Sequence, residues 1–467
     1  MLIFRKKRIM QYRLFPADTY VERRKRLAET LGKGEILFLG NEESSINFRD
    51  NWYPFRQDST FLYYFGLSIP GLAAYLDTAS GEAILFGNEL GIDDIIWTGP
   101  LPSLKELGEQ VGIKRIEPMG KLPDFANRNI HYLPPYRPEH SLKISELTKL
   151  SPKEVENGFS IRLIKAVVQQ RSIKSKEEIR ELHEAVSNTA AMHLAVMKAA
   201  RPGMYEHELV AVAQKEAWSR HVPLSFPPIM TINGQVLHNH TYSNLLEEDR
   251  MILFDGGTES RAGYAGDMTR TFPVGKRFNS QQKELYQIVR KAHVAAADAL
   301  KPGVPYREIH LLASRIIAEG LTELGLMKGD PEEAVKAGAH SLFFQHGLGH
   351  MMGLDVHDME NLGEDYVGYN DEIQRSKSFG LKSLRLGRAL EPGFVLTVEP
   401  GIYMIPDLID LRKAEGAFTD FVNYDKVDTY RKTGGIRIEE DFVITESGAE
   451  LLGTPLPHSV EEVEALR

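Results

Sequence analysis

Residues 346–358 read His346-Gly-Leu-Gly-His350-Met-Met-Gly-Leu-Asp-Val-His357-Asp358, with three histidines and three glycines in one short stretch. Imidazole is the commonest metal ligand and proton shuttle near neutral pH. Glycine beside it lets backbone approach a ligand closely. The spacing His346-x3-His350 is that of the zinc motif H-E-x-x-H, but Gly347 stands where the catalytic Glu belongs. Two glycines also make the segment a poor helix. A helical single-zinc site is therefore excluded, and further ligands must come from elsewhere.

Four carboxylates supply them. Asp255 follows Met-Ile-Leu-Phe and Glu399 follows Phe-Val-Leu-Thr-Val. Asp267 lies between Gly266 and an alternating apolar strand, and Glu439 lies between Ile438 and a second acid. A carboxylate set in apolar surroundings is unfavourable unless paired or bound to a metal. Facing strands of a hairpin bring inward side chains within about 5 Å. Two hairpins on one sheet could thus aim four acids and His350 at one point. Four negative charges call for two divalent cations. Oxygen-rich donors with one nitrogen suit Mn²⁺, with Co²⁺, Fe²⁺ or Zn²⁺ as substitutes. Two metals about 3.5–4 Å apart form a hydrolytic device that activates water and polarises a carbonyl.

The elements that must position these groups show an internal repeat. Ala199-Ala-Arg-Pro-Gly-Met-Tyr-Glu-His-Glu-Leu209 resembles Ala299-Leu-Lys-Pro-Gly-Val-Pro-Tyr-Arg-Glu-Ile309. Each follows one helical segment and opens another. Each is followed by a His-bearing stretch, around His238 and around His350. Then come two strands, each ending in a carboxylate and Gly, and return strands with a second carboxylate. The order predicts an α+β domain built from a duplicated αβ unit about a pseudo-two-fold axis. Its longest helices cover the outer face of a curved sheet. Ser175 and Glu178 have capping-box spacing and open a helix that runs to about residue 200.

The amino-terminal part reads as an α/β domain over residues 1–170, with the catalytic domain at 171–467. A helix over Tyr20–Leu31, a strand over Glu35–Gly40 and short apolar runs at Thr60–Phe65, Ala73–Leu76 and Gly81–Gly87 give its elements. Arg56-Gln57-Asp58-Ser59 is a polar island among aromatics, read as a buried salt-bridged turn. Residues 130–170 are rich in Pro and polar groups and read as a connection, with a linking helix over Phe159–Val168.

Length and composition bound the partners. The 467 residues are 42% hydrophobic and 26% charged, as in folded domains, and the net charge of −9 favours neither nucleic acid nor an anionic membrane. Cysteine is absent, which excludes disulfides and thiolate ligands and fits a cytoplasmic protein. No apolar run spans a bilayer. Charges follow the apolar residues at the start, the wrong order for a signal peptide, and Met10 is an alternative start to Met1.

These residues resemble one family. Asp255, Asp267, His350, Glu399 and Glu439 look like the five ligands of the pita-bread metallopeptidases. His346-Gly-Leu-Gly-His350-x6-His357-Asp358, Thr397-Val-Glu399-Pro-Gly-Ile-Tyr403 and Arg437-Ile-Glu439-Glu-Asp441 resemble its proline-specific branch, aminopeptidase P and prolidase. Phe55-Arg-Gln-Asp-Ser59 resembles the amino-terminal domain of aminopeptidase P. The resemblance implies that Asp255 chelates one metal, that His350 and Glu399 hold the other, and that Asp267 and Glu439 bridge them. It makes His238 a proton shuttle or carbonyl stabiliser, His357 a substrate contact, His346 a support to the ligands and Arg437 an orienting group. It places Tyr403 in the substrate site, and it matches Arg385 to the arginine that receives the proline carboxylate in prolidases. His240, His310 and His340 are read as packing residues. Asp255 and Asp267 are 12 apart (267 − 255), one more than the family's usual hairpin. A bulge or longer turn at Arg261-Ala-Gly263 would absorb the extra residue.

The implied activity is cleavage of an Xaa-Pro bond in short proline-containing peptides, by a homodimer or homotetramer. Aminopeptidase P accepts longer chains, whereas prolidase accepts dipeptides. The long insert Met404–Gly434 and Arg385 resemble prolidase, and the amino-terminal motif resembles aminopeptidase P. The reading adopted is Xaa-Pro aminopeptidase, with Xaa-Pro dipeptidase as the alternative. A metal-free binding module is disfavoured because all five ligand positions are filled.

Overall fold

The computed structural model describes residues 13–126 and 129–467. The question of Met1 against Met10 lies outside the described residues. The chain divides into two compact units, Met1–Arg171 and Ser172–Arg467.

The first unit carries a four-stranded sheet in the order β1 (Glu35–Leu39), β2 (Ala73–Asp77), β3 (Ala83–Gly87), β4 (Arg115–Pro118). The first three strands are antiparallel and β4 is parallel to β3. Helix α1 (Ala17–Leu31) precedes the sheet, and α2 (Ser59–Phe65), α3 (Ile92–Thr98) and α4 (Leu104–Gln110) interrupt it. The apolar run Thr60–Phe65 is helical because it is capped at both ends. Asp58 accepts from the Phe61 N–H at 2.8 Å, and Gly66 takes the left-handed conformation at the other end. Gln57 is 1% exposed. Its Oε1 accepts from the main-chain N–H groups of Asn41 at 2.6 Å and Asp58 at 2.9 Å. The polar island is thus a buried hydrogen-bonded turn. Residues 130–170 are more ordered than a connection. They form α5 (Pro138–Thr148), α6 (Pro152–Asn157) and α7, which continues to Ser172 from Ile161. Pro138 and Pro152 stand in the first helical turn, where a missing N–H costs nothing, and Ser151 with Glu154 closes a capping box.

The second unit is duplicated. Helices α8 (Lys176–Ala199) and α9 (Glu206–Ser219) lead to the antiparallel sheet β5 (Ile229–Thr231), β6 (Met251–Gly256), β7 (Met268–Pro273). Helices α10 (Ser280–Asp298) and α11 (Tyr306–Glu323) then lead, through the short α12 (Pro331–Lys336) and α13 (Glu364–Val367), to β8 (Val395–Val398) and β9 (Gly401–Tyr403). Helices α14 (Pro406–Ala414) and α15 (Tyr424–Asp428) fill the insert. Strands β10 (Gly435–Arg437) and β11 (Glu440–Ile444) return, and β12 (Ala449–Leu451) and α16 (Val460–Ala465) close the chain.

The two helix pairs turn alike. Gly203 and Gly303 have φ of 85° and 83°, and their N–H groups donate to Leu246 and Leu390 carbonyls at 2.9 and 2.8 Å. Ser175 accepts from the Glu178 N–H, and the Glu178 carboxylate accepts from the Ser175 N–H, as the spacing required. Helix α8 packs on β6 and β7, and α10 packs on β8, β9 and β10. His193 of α8 stacks on Phe254 with ring centres 4.1 Å apart and bonds the Gly256 carbonyl at 3.0 Å. The helices therefore cover one face of the strands, leaving the other for the acids.

Candidate metal centre

The β6–β7 hairpin keeps one register along its length. Asp255 opposes Thr269, Gly256 opposes Met268, and Glu259 opposes Ala265 beyond the named strands. The additional residue sits in the turn, where the Ser260 N–H donates to the Tyr264 carbonyl at 2.7 Å and Gly263 has φ 84°. Glycine adopts that left-handed conformation without strain. No bulge is needed. Asp255 and Thr269 share a face, and Asp267, two residues before Thr269, shares it too. The extra residue does not turn Asp255 away.

The second hairpin does the same for the glutamates. Glu440 opposes Val398 in β11–β8, and Arg437 opposes Gly401 in β10–β9. Glu399 and Glu439 fall between these pairs. Glu439 also bridges to Thr269, its N–H donating to the Thr269 carbonyl at 3.1 Å. It stands at the seam where the first hairpin meets the second.

Residues 348–352 run beside β8 like an added strand. The Thr397 N–H donates to the His350 carbonyl at 3.0 Å, and the Glu399 N–H donates to the Leu348 carbonyl at 2.8 Å. Gly349 permits this approach, since a Cβ there would lie 2.1 Å from the Thr397 carbonyl oxygen. This glycine serves strand contact rather than ligand approach. His350 Nδ1 lies 3.1 Å from the Met351 carbonyl. A proton on Nδ1 donates there, leaving the Nε2 lone pair facing the acids. Nε2 lies 3.5 Å from Asp267 Oδ2 and 3.7 Å from Glu399 Oε1. Burial lowers the His350 pKa to about 4, so the imidazole is neutral and able to ligate at pH 7.

Asp267, His350 and Glu439 offer ligand atoms within 4.8 Å of one another, the one such group found among the described residues. Asp267 Oδ1 and Asp255 Oδ1 are buried and accept no hydrogen bond. Buried oxygens without a donor are rare, and a cation supplies what they lack. Burial raises the pKa of Asp267, Glu399 and Glu439 well above the carboxylate range. Mutual repulsion adds to it: Asp255 acts on Asp267, Glu439 on Glu399, and Asp267 on Glu439. The donor set fits divalent metal.

Arg437 is buried beside these acids. Its guanidinium pairs with Asp255 Oδ2, donates to the Tyr403 hydroxyl at 2.8 Å and donates to Thr269 Oγ1 at 3.1 Å. It orients Asp255 directly. Tyr403 departs from the expected substrate contact. It is fully buried, and its hydroxyl lies between Arg437 and His346 Nε2, also 2.8 Å away. The side chain holds two neighbours in place and presents no surface to a substrate. His346 Nδ1 lies 3.6 Å from Glu399 Oε2, and burial lowers its pKa to about 3.

Two histidines border the centre. The His357 ring lies edge-on to His350 with centres 4.3 Å apart, and its Nδ1 is 2.7 Å from Glu360 Oε2. His238 lies on the turn after β5, and its pKa is lowered by partial desolvation of the ring and then by Arg437. Arg385 pairs with Glu360 at 2.7 Å and with Glu364.

Several residues of the centre had no role assigned to them from the sequence. Thr269 donates to Glu439 Oε2 at 2.6 Å. Asp441 accepts from the Asp267 N–H at 3.0 Å, and Thr397 Oγ1 accepts from the His350 N–H at 3.2 Å. Tyr306 donates to the Thr397 carbonyl at 2.6 Å. Thr269 was within reach, because strand periodicity puts it on the face of Asp267. Thr269→Val should lower metal affinity or kcat about 10- to 100-fold, as loss of an outer hydrogen bond does at metal sites. Metal titration followed by peptide cleavage measures both, and wild-type values would remove Thr269 from the centre.

Comparison with known proteins gives one family. The model of metallopeptidase family M24 matches residues 180–446, and that of the aminopeptidase P N-terminal domain matches residues 20–133. The chain is 33% identical over 478 residues to the Xaa-Pro dipeptidase of Homo sapiens, covering 96% of this chain and 93% of that protein. It is 32% identical over 466 residues to the Xaa-Pro aminopeptidase of Escherichia coli, covering 96% and 97%. The solved structure of aminopeptidase P from E. coli with the inhibitor Pro-Leu superposes with a TM-score of 0.79 at 30% identity, over 97% of this chain and 98% of that one. The family match spans both acid-bearing hairpins and the histidine segment between them, so this chain belongs to metallopeptidase family M24 and is a divalent-metal peptidase of the pita-bread fold.

Proposed function

We propose that the chain is an Xaa-Pro aminopeptidase, hydrolysing the bond between an amino-terminal residue and a following proline. The observation that carries the reading is the convergence of Asp267, His350 and Glu439, with Asp255 and Glu399 beside them. Asp255 would hold one cation, His350 and Glu399 a second, and Asp267 and Glu439 would lie between the two. Mn²⁺ suits this oxygen-rich set. When bound, such cations supply electrophilic and water-activating chemistry.

The protein groups supply the rest. His357 and His238 border the centre, and each is held towards its neutral form by burial. A neutral imidazole can take or relay a proton at pH 7. His357 has its Nδ1 fixed by Glu360, so Nε2 is the atom positioned to meet the substrate. An Xaa-Pro amide has no N–H, and its ring fixes the chain. A site that accepts the ring gains selectivity where backbone-gripping peptidases lose a handle. The names of the matched relatives, Xaa-Pro aminopeptidase and Xaa-Pro dipeptidase, support this substrate class.

Arg385 and the insert between β9 and β10 favour a second reading, Xaa-Pro dipeptidase. One assay divides the two. The purified, Mn²⁺-loaded protein is given Gly-Pro and Arg-Pro-Pro. Release of Arg from the tripeptide is expected. Cleavage of Gly-Pro alone would assign the dipeptidase, and cleavage of neither would remove both.

A further inference from the structure

Arg385 is 30% exposed at its side chain and is already answered by two carboxylates. Its Nη1 lies 2.7 Å from Glu360 Oε1, and it pairs with Glu364. Neither acid depends on Arg385 alone. Glu360 is 2.7 Å from His357 Nδ1, and Glu364 is 2.7 Å from Arg375 Nη1. The result is one line of alternating donors and acceptors: His357, Glu360, Arg385, Glu364, Arg375. Its inner end is the ring packed against His350.

A guanidinium fork seats a carboxylate through two parallel N–H bonds. A peptide that ends at proline brings such a carboxylate. A peptide that continues past proline brings a neutral amide in its place. In this structure both acids meet the same Nη1, so a carboxylate that uses this nitrogen must take the place of one of them. Glu360 is tied to the substrate-facing histidine, so releasing it would disturb His357. Glu364 can let go and keep Arg375.

We propose that Glu364 is a specificity-determining residue, an internal carboxylate that occupies Arg385 and must be displaced before a proline dipeptide is seated. This rests on the Xaa-Pro reading above and deepens it. Dipeptides carry the penalty of breaking the Glu364–Arg385 pair, and longer peptides do not. The enzyme is thereby turned towards longer substrates while retaining the arginine that would serve a dipeptide.

The test uses Mn²⁺-loaded full-length protein, wild type and Glu364→Gln, with Gly-Pro, Gly-Pro amide and Arg-Pro-Pro. In Glu364→Gln, KM for Gly-Pro should fall about fivefold, the scale of a half-exposed ion pair. The ratio of Gly-Pro to Arg-Pro-Pro kcat/KM should rise by the same factor. Gly-Pro amide, which lacks the carboxylate, should show no such gain. Adding Arg385→Gln to Glu364→Gln should erase the gain, because the freed partner is then gone. An unchanged ratio in a variant with wild-type thermal stability would overturn the proposal. So would a rise in KM for Gly-Pro, which would make Glu364 a support that aims Arg385 at the dipeptide. Wild-type protein that cleaves none of the three would sink the Xaa-Pro reading itself, a separate outcome from an unchanged ratio.

Discussion

Asp267→Ala and Glu439→Ala are each expected to abolish cleavage of Xaa-Pro peptides, with kcat/KM falling about a thousandfold or more. A bound cation contributes several kcal/mol of transition-state stabilisation. Each ~1.4 kcal/mol is a factor of ten in rate. Both residues lie in the one close group of candidate ligands among the described residues, within reach of His350. Removing either takes away an oxygen that no neighbour replaces. Asp441 is held at Oδ2 by the Asp267 N–H, and Thr269 donates rather than ligates. Metal analysis of the purified variants should show fewer bound ions per chain while circular dichroism remains that of the wild type. Appreciable activity in either variant would refute the assignment.

The same acids predict how the metal-free protein behaves. Asp267, Glu399 and Glu439 have pKa values raised by burial and by one another. A carboxyl whose folded pKa is raised binds a proton that the unfolded chain has released. Without cations, stability therefore falls as pH rises above the unfolded carboxyl value, about 4. Cation binding replaces those protons, so metal affinity rises with pH. The gap in Tm between Mn²⁺-loaded and EDTA-treated protein should widen from about pH 6 to about pH 8. A constant gap would show that the acids are ionised in the metal-free fold.

What the sequence made legible is what periodicity and burial can express. Asp255 and Glu399 stand out because acids at the ends of apolar strands need a reason. The duplication stands out because two Pro-Gly turns must each admit a positive φ. Apart from Arg437, the groups that aim the ligands do not stand out. Thr397 and Tyr306 act through one hydroxyl each, across segments distant in the chain. Tyr403 shows the same limit from the other side. Its place in a motif fixes its position on β9, but only the fold reveals that its hydroxyl is occupied by Arg437 and His346. In the first unit, Thr60–Phe65 has no helical period, and only its two caps decide its conformation. The proline content of residues 130–170 suggested a connection, yet Pro138 and Pro152 stand in first helical turns, where proline begins a helix as readily as it ends one.

Arg437→Met is expected to have the second largest effect, and on two separate quantities. The guanidinium is buried and is shared among Asp255, Tyr403 and Thr269. Breaking a buried pair by removing one partner costs about 3–5 kcal/mol, because the other charge is left uncompensated. Bound cations offset part of that loss at Asp255, so denaturant unfolding should show a larger deficit in EDTA than in Mn²⁺. Activity should fall independently, by about 10- to 100-fold, since Asp255 loses the partner that fixes its plane and Thr269 loses a donor beside Glu439. Arg437→Lys separates the two. An ammonium restores a positive charge near Asp255 but cannot reach three acceptors in a planar fork. It should recover most of the stability and little of kcat. If methionine at this position leaves both stability and kcat unchanged, the orienting role of Arg437 is wrong. If lysine recovers both together, the role is charge alone, and the fork contributes nothing to aiming Asp255.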